Sequence, residues 1–391
     1  MSLNETPRAE RLTIGFFGSR NAGKSSLLNA ITNQEMAVVS EYAGTTTDPV
    51  IKSMELLPLG PVTLIDTPGY DDIGALGEKR VLKTKQILEK TDIALLVIDA
   101  KKGISDTEKE LEAIFKEKNI PYIIVYNKSD LVENKVPKSD NEIFVSSLTN
   151  DCIHELKEKI AGLKPEEKSV RLVADFIEKG DTVILVCPID QSAPKGRIIL
   201  PQQQAIRDIL DGGSIASVVQ PEQLKETLDN LKTPPKMVIC DSQVFKKVSL
   251  IVPDSIPLTS FSILFARYKG LLDIALDGAK KLDSLCDGDK ILISEGCTHH
   301  RQCGDIGTEK IPAWLRAYTG KNLNFEFTQG GAFPEELKGY ALVIHCGGCM
   351  LTDKEIRTRQ EKAKAQNVPF TNFGMTIAKV NGILERSTAI L

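Results

Sequence analysis

The sequence predicts three consecutive α/β domains, over residues 1–165, 170–260 and 265–391. Three observations carry this expectation. A chain of 391 residues is longer than one core usually organises. Apolar runs of strand length alternate with amphipathic stretches of helix length from end to end, the pattern of parallel sheets flanked by helices. The alternation is broken by proline-bearing polar segments, Lys164-Pro-Glu-Glu-Lys-Ser169 and Pro253-Asp-Ser-Ile-Pro257, which read as punctuation.

In the first domain the strands are Leu12–Phe17, Ile51–Leu57, Val62–Asp66, Ile93–Asp99, Tyr122–Tyr126 and Ile143–Val145, with helices Lys24–Thr32, Lys79–Glu89, Asp106–Lys118 and Cys152–Leu163. The rhythm restarts with Thr182–Cys187, Gln203–Leu210, Ile215–Val219, Pro221–Leu231, Met237–Cys240 and Lys247–Val252. This middle unit carries no glycine-rich phosphate loop and no cluster of titratable residues, which suits a structural or subunit-contact role. An apolar helix, Phe261–Leu276, leads to the third unit: strands Lys290–Ser294, Leu323–Phe327 and Ala341–His345, and helices Pro312–Tyr318, Asp353–Gln366 and Met375–Leu384.

Composition narrows the function. With 41% hydrophobic and 26% charged residues the chain is globular. Lys and Arg (49) against Asp and Glu (53) leave a net charge of −4, and no basic run stands out, so nucleic acid is not an expected partner. No apolar stretch reaches the ~18 residues that span a bilayer. The polar, acid-bearing start at Met1–Arg8 does not read as a signal peptide, so a cytoplasmic location is expected.

Strand Leu12–Phe17 runs into Gly18-Ser-Arg-Asn-Ala-Gly23-Lys24-Ser25, which fits G-x-x-x-x-G-K-[ST] between a strand and a helix. In such a loop Gly18 and Gly23 let backbone N–H groups turn around phosphate oxygens at a helix N-terminus, and Asn21 and Ser26 are counted with them as nucleotide-binding candidates. Lys24 reaches the β and γ phosphates and Ser25 binds Mg²⁺. Asp66-Thr-Pro-Gly69 follows a strand, bringing Asp66 toward Mg²⁺ and the Gly69 N–H toward a γ-phosphate. Asn127-Lys128-Ser-Asp130 follows another. A carboxylate at Asp130 accepts the N1–H and 2-amino hydrogens of guanine, which adenine cannot offer. Ser146 and Ser147 fall where N–H groups touch guanine O6. Gly44-Thr45-Thr46-Thr47-Asp48 is a loop that orders around γ-phosphate and Mg²⁺, with Thr46 the preferred metal ligand and Thr45 the second choice.

These motifs resemble the P-loop GTPases over residues 11–163, so GTP hydrolysis to GDP and phosphate is expected. Asn21, the run Lys24-Ser-Ser-Leu-Leu-Asn-Ala30 and the Gly-Thr-Thr switch are similar to the branch of tRNA-modification and ribosome-assembly GTPases. Tyr70 follows Gly69 where the Ras-like pattern has a water-orienting glutamine, and its side chain cannot do that work. The resemblance implies that a K⁺ held by Asn21 and the first switch supplies the missing positive charge. Thr47 departs from the branch, where arginine is usual.

All eight cysteines lie after residue 151, and Cys297, Cys303, Cys346 and Cys349 share 53 residues with three of the four histidines. In a reducing compartment that clustering points to metal. Cys152, Cys187, Cys240 and Cys286 read as small core or surface residues, and His154 as a surface residue. Cys297-Thr-His299 and His345-Cys346-Gly-Gly-Cys349 each follow an apolar strand. If those strands are parallel in one sheet, both groups emerge at its C-terminal edge. Cys297, Cys346 and Cys349 then supply three thiolates, with His299 or His345 as fourth ligand or as a hydrogen-bond partner of sulfur; His345, which strand alternation can point away, reads equally as a partner-bonded core imidazole. His300 and Cys303 read as neighbours. Zinc and iron–sulfur both fit this pattern.

The C-x-H…H-C-x-x-C signature behind an N-terminal GTPase and a middle α/β domain resembles the [FeFe]-hydrogenase maturation GTPases, the HydF family, over essentially the full chain. The resemblance implies homodimerisation through the middle domain and a [4Fe–4S] cluster on Cys297, Cys346 and Cys349. It also implies a scaffold and carrier role: a di-iron precursor assembled with two radical-SAM maturases is delivered to apo-hydrogenase. From another class comes an RNA-modification or ribosome-assembly GTPase with a zinc-stabilised C-terminal domain, against which the acidic charge argues. A redox enzyme with a regulatory GTPase is a third. Metal analysis separates them: a brown protein with about four irons per chain fits the first and third, a colourless zinc protein the second.

Overall fold

The computed structural model describes residues 10–32, 50–68, 84–163, 170–189, 198–296 and 305–391. The chain divides into two compact units, Met1–Glu167 and Lys168–Leu391.

The first unit is built on a six-stranded sheet. Its strands are β1 (Leu12–Phe17), β2 (Val50–Leu56), β3 (Gly60–Asp66), β4 (Ile93–Asp99), β5 (Tyr122–Asn127) and β6 (Glu142–Phe144), in the order β2-β3-β1-β4-β5-β6. All neighbours are parallel except β2 and β3, which run antiparallel from Val50 opposite Asp66 to Leu56 opposite Gly60. The central strands read as unbroken apolar runs because helices cover both faces. Ile14, Phe16, Leu95 and Val97 pack to one side with Leu27 and Leu28, and Phe17, Leu96 and Ile98 to the other with Leu111 and Phe115. The helices are α1 (Lys24–Thr32), α2 (Asp106–Glu117) and α3 (Ile153–Gly162). Of the expected helix Lys79–Glu89, residues 84–88 are described and are helical, and residues 79–83 lie outside the described residues. With β1, β3, β4 and β5 parallel, the loops that follow them leave one edge of the sheet. That edge gathers the motifs at residues 18–25, 66 and 127–130.

The second unit holds two four-stranded parallel sheets. One is ordered β10-β9-β7-β8, from β7 (Thr182–Val186), β8 (Ile215–Val219), β9 (Met237–Cys240) and β10 (Leu258–Ser260). The other is ordered β12-β11-β13-β14, from β11 (Lys290–Glu295), β12 (Asn324–Gln329), β13 (Leu342–His345) and β14 (Phe370–Asn372). Helices α4 (Leu200–Asp211), α5 (Leu224–Asn230), α6 (Phe245–Ile251), α7 (Phe261–Tyr268), α8 (Leu272–Lys280), α9 (Ile311–Thr319), α10 (Asp353–Ala365), α11 (Phe373–Val380) and α12 (Leu384–Thr388) complete it. One apolar cluster joins Ile184, Val238 and Leu258 of the first sheet to Leu351, Ile356 and Met375 beside the second.

Three sequence expectations are corrected here. Strands β10 and β14 were not expected: each is three residues long, too short for a periodic signal, and runs directly into an apolar helix. Each ends in a polar residue that caps that helix, Ser260 accepting from the Ile263 N–H at 3.3 Å and Asn372 from the Met375 N–H at 2.8 Å. The single helix Phe261–Leu276 is two helices, broken where Gly270 takes φ +73°. The helix Met375–Leu384 ends at Val380 for the same reason at Gly382, φ +71°. Among the described residues no helix is long and apolar enough to cross a membrane.

Candidate functional site

Between β1 and α1 the chain turns through Gly18, Asn21 and Gly23, all at positive φ (+140°, +60° and +89°). A Cβ on Gly18 would lie 2.1 Å from the Val97 carbonyl oxygen and one on Gly23 2.2 Å from Asn127 Nδ2, so both positions need glycine. Lys24 is buried, and its ammonium donates to the carbonyls of Gly18 (2.9 Å) and Ser19 (2.8 Å), facing the hollow of the loop. Ser25, next in the helix, donates its hydroxyl to Asp66 Oδ2.

Asp66 is 1% exposed, and its second oxygen, Oδ1, has no hydrogen-bond partner among the described residues. Burial raises its pKa above the ordinary carboxylate value, against the Ser25 hydrogen bond and the Lys24 charge. A buried carboxylate with one oxygen open, beside a serine hydroxyl at a phosphate loop, is a hard-oxygen donor set that fits Mg²⁺.

The residues of the Asn127–Asp130 motif are tied to this loop. Asn127 is fully buried: its amide donates to the carbonyls of Ala22 (3.1 Å) and Gly23 (3.3 Å), and its oxygen accepts the Ser147 N–H at 3.1 Å. It therefore joins three loops. The Lys128 ammonium donates to Asn21 O (2.7 Å) and to Asp99 Oδ2 (2.7 Å). Burial works against ionisation of Asp99, yet Lys128 holds its pKa below the ordinary value. Asp130 is exposed, with Oδ1 accepting the Ser146 hydroxyl at 2.6 Å. Ser26 is half-buried on α1. Thr45, Thr46, Thr47, Gly69 and Tyr70 lie outside the described residues.

Glu108 was not among the expected site residues. Only 3% exposed on the first turn of α2, its carboxylate accepts the N–H groups of Ser19 (3.1 Å) and Ser105 (3.0 Å) and both serine hydroxyls. The sequence signal, Ser105-x-x-Glu108, is a capping box that announces a helix start. Nothing local announces the reach to Ser19, 89 residues away.

In the second unit β11 and β13 are parallel neighbours, Ser294 opposite His345, so the segments after them leave the same edge of the sheet. The Cys346 N–H donates to Ser294 O at 2.9 Å, and Cys346 Sγ accepts the N–H groups of Gly296 (3.0 Å) and Gly348 (3.4 Å). Gly348 makes the turn at φ +63°, where a Cβ would meet Ile356 Cδ1 at 2.2 Å. Burial raises the Cys346 pKa against those two N–H groups, and burial and Cys346 push Cys349 to about 11. Two soft sulfurs on one turn, with N–H groups aimed at sulfur, fit zinc or an iron–sulfur centre rather than a hard cation. Cys297, His299, His300 and Cys303 lie outside the described residues, and among the described ones no three His, Cys, Asp or Glu side chains gather to hold a metal.

Of the readings open to His345, its contacts fit the partner-bonded core imidazole. Its Nδ1 is 2.7 Å from Cys346 O, and its Nε2 is 2.9 Å from Arg359, which can only donate. Nδ1 therefore carries the proton, and no ring lone pair is free for a metal. Burial, with Arg359 beside it, lowers its pKa to about 3. The imidazole acts as a neutral strut under the cysteine turn.

Comparison with known proteins adds to this geometry. The family model described as the hydrogen maturase F dimerization domain matches residues 172–270, and that of the hydrogen maturase F tetramerization domain matches residues 273–390. A 50S ribosome-binding GTPase model matches residues 13–128. Among curated relatives, GTPase Der of Kosmotoga olearia is 36% identical over 33% of this chain and 30% of its own length. The tRNA modification GTPase MnmE of Desulforamulus reducens is 38% identical over 32% of this chain and 27% of its own. The chain thus spans about a third of the curated relatives it matches. An Era structure from Aquifex aeolicus with GDP and aluminium fluoride is 22% identical over 53% of this chain and 92% of that one, at a TM-score of 0.37.

Proposed function

Since this chain belongs to the hydrogen maturase F family, two of whose domain models together span more than half of it, we propose that it is a GTP-hydrolysing scaffold for iron–sulfur chemistry. It holds a [4Fe–4S] cluster on Cys297, Cys346 and Cys349, carries the di-iron precursor of the hydrogenase cluster, and delivers it to apo-[FeFe]-hydrogenase after assembly with radical-SAM maturases. The observation that supports this most directly is the hydrogen bond from Gly296 N–H to Cys346 Sγ, because Cys297 is the next residue after Gly296.

Each residue of the GTP site has a task. Lys24 exchanges its two carbonyl partners for β- and γ-phosphate oxygens, while the N–H groups from Gly18 to Ser26 wrap the phosphates. Ser25, Asp66 and Thr46 hold Mg²⁺, which when bound offsets the charge on the phosphate oxygens. Asp130 reads guanine, Asn127 and Lys128 keep its loop against the phosphate loop, and Ser146 and Ser147 approach O6. Gly69 meets the γ-phosphate, and Asn21 with the first switch holds K⁺. At the second site Cys297, Cys346 and Cys349 would hold the cluster, which would supply an iron open to an exchangeable ligand, with His299 as the candidate for that position.

The protein acts as a homodimer through residues 172–270, with a further self-contact through 273–390, in the cytoplasm and without a nucleic-acid or membrane partner. Edge strand β8 supports the dimer: Ile215 (56%) and Val218 (45%) are exposed on it.

Anaerobic reconstitution of the wild type and Lys24→Ala tests the reading. Phosphate release is lost in the variant while iron content stays equal, and the loaded wild type activates apo-hydrogenase. Hydrolysis is faster in KCl than in NaCl. A colourless protein that takes up zinc in place of iron and sulfide overturns the scaffold role.

A further inference from the structure

We infer that Lys269 is a positioning residue of the cysteine site: it pins the Cys346–Cys349 turn and supplies a buried positive charge that complements a thiolate-held cluster. The inference rests on the iron–sulfur reading above.

Lys269 belongs to the segment that matches the dimerization model, where its backbone closes α7 by donating to Phe265 O at 2.9 Å. Its side chain leaves that segment for the other sheet's loop. The ammonium donates to Gly348 O at 2.7 Å and Leu351 O at 2.9 Å, with Asp353 Oδ1 at 4.0 Å, and the residue is only 4% exposed. Lysine is seldom buried so completely, because an ammonium gives up strong hydration. Here the two carbonyls it grips bracket Cys349, one immediately before it and one two residues after. Gripping both fixes the direction in which the Cys349 thiol leaves the turn.

The charge matters as well as the grip. The ammonium grips carbonyls on either side of Cys349, within the turn that carries both thiols. A cuboidal cluster held by three thiolates has a net negative charge, and a fixed ammonium behind the turn is its counter-charge.

The test uses the full-length chain, reconstituted anaerobically with iron and sulfide, as wild type, Lys269→Arg and Lys269→Gln. Both substitutes can donate to the two carbonyls, and only arginine keeps the charge. Iron and sulfide per chain, the rate of iron loss to a chelator, and the midpoint potential from redox-titrated EPR are read for each. Lys269→Gln is expected to lose iron on the order of tenfold faster, the low end of what supporting contacts contribute to metal sites, and to show a lower midpoint potential. Lys269→Arg should retain iron as the wild type does. Equal retention and potential in all three proteins overturns the role, as does faster loss in both variants with no difference between them, which would indicate packing alone. Failure of the wild type itself to take up iron overturns the cluster reading, and this role with it.

Discussion

Removing the Glu108 carboxylate should loosen the phosphate loop although Glu108 is on a different helix. Four donors converge on it: the N–H groups of Ser19 and Ser105 and both serine hydroxyls. The hydroxyls can rotate to other acceptors, but the two N–H groups cannot. In Glu108→Gln one of them faces an amide NH₂ and loses its partner; both donors are part-buried, so the loss is at most the about 1–3 kcal/mol of a fully buried one. Glu108→Ala strands both, and the half that falls on Ser19 is again at most about 1–3 kcal/mol. If the loop must reorder to bind nucleotide, that share weakens binding by at most roughly five- to a hundredfold. A fluorescence titration with a labelled GDP measures it. Linkage adds a pH signature. Burial pushes the Glu108 pKa up, but the hydrogen bonds from Ser105 and Ser19 outweigh it and hold the group below its usual 4.5. A carboxylate lowered in this way contributes in full above pH 4.5 and loses its contribution as the pH falls through the folded-state value. The stability gap between wild type and Glu108→Ala should therefore be flat near neutrality and narrow below pH 4.5. Labelled-GDP affinity within twofold of wild type in Glu108→Ala, with an unchanged melting temperature, would show that Glu108 does not hold the loop.

Further outcomes follow from single contacts. Gly23→Ala forces a side chain into φ +89° and a Cβ to 2.2 Å from Asn127 Nδ2; the backbone alone costs about 1–2 kcal/mol, so calorimetric GTP affinity should fall at least about tenfold. On the proposed role of Asp130 as the acceptor for guanine N1–H, Asp130→Asn would put a donor there, so GTP should bind roughly a hundredfold more weakly, a loss near 3 kcal/mol, and xanthosine triphosphate should become the better competitor. Gly348→Ala meets Ile356 Cδ1 at 2.2 Å and displaces the N–H aimed at Cys346 Sγ. Iron per chain after reconstitution should drop while phosphate release is unchanged.

Local physics made much of this protein legible in its sequence. A strand ending in Gly18 and a helix beginning at Lys24 is a short-range pattern, and the backbone needs of a phosphate loop leave few other residue choices at Gly18 and Gly23. The pairing of β11 with β13 was also inferable, since two apolar runs in an α/β rhythm favour parallel neighbours. Two three-residue strands were not legible, because β10 and β14 are set by pairing with β9 and β13 rather than by a period of their own.

Long-range contacts were hidden for a plainer reason. A residue's type states which bonds it can form but not which distant group will be within 3 Å. Ser105-x-x-Glu108 marks a helix start, and the same carboxylate holds Ser19. Lys269 falls inside the expected helix Phe261–Leu276 and was found beneath the Cys349 turn, 79 residues away from the Gly348 oxygen it grips. His345 read as a candidate ligand until Arg359, from a helix packed behind it, took the remaining lone pair. Sequence thus determined which chemistry each loop can support. Folding decided which side chains perform it and which hold them in place, because burial makes every polar group find a partner and only the assembled core says which one is near.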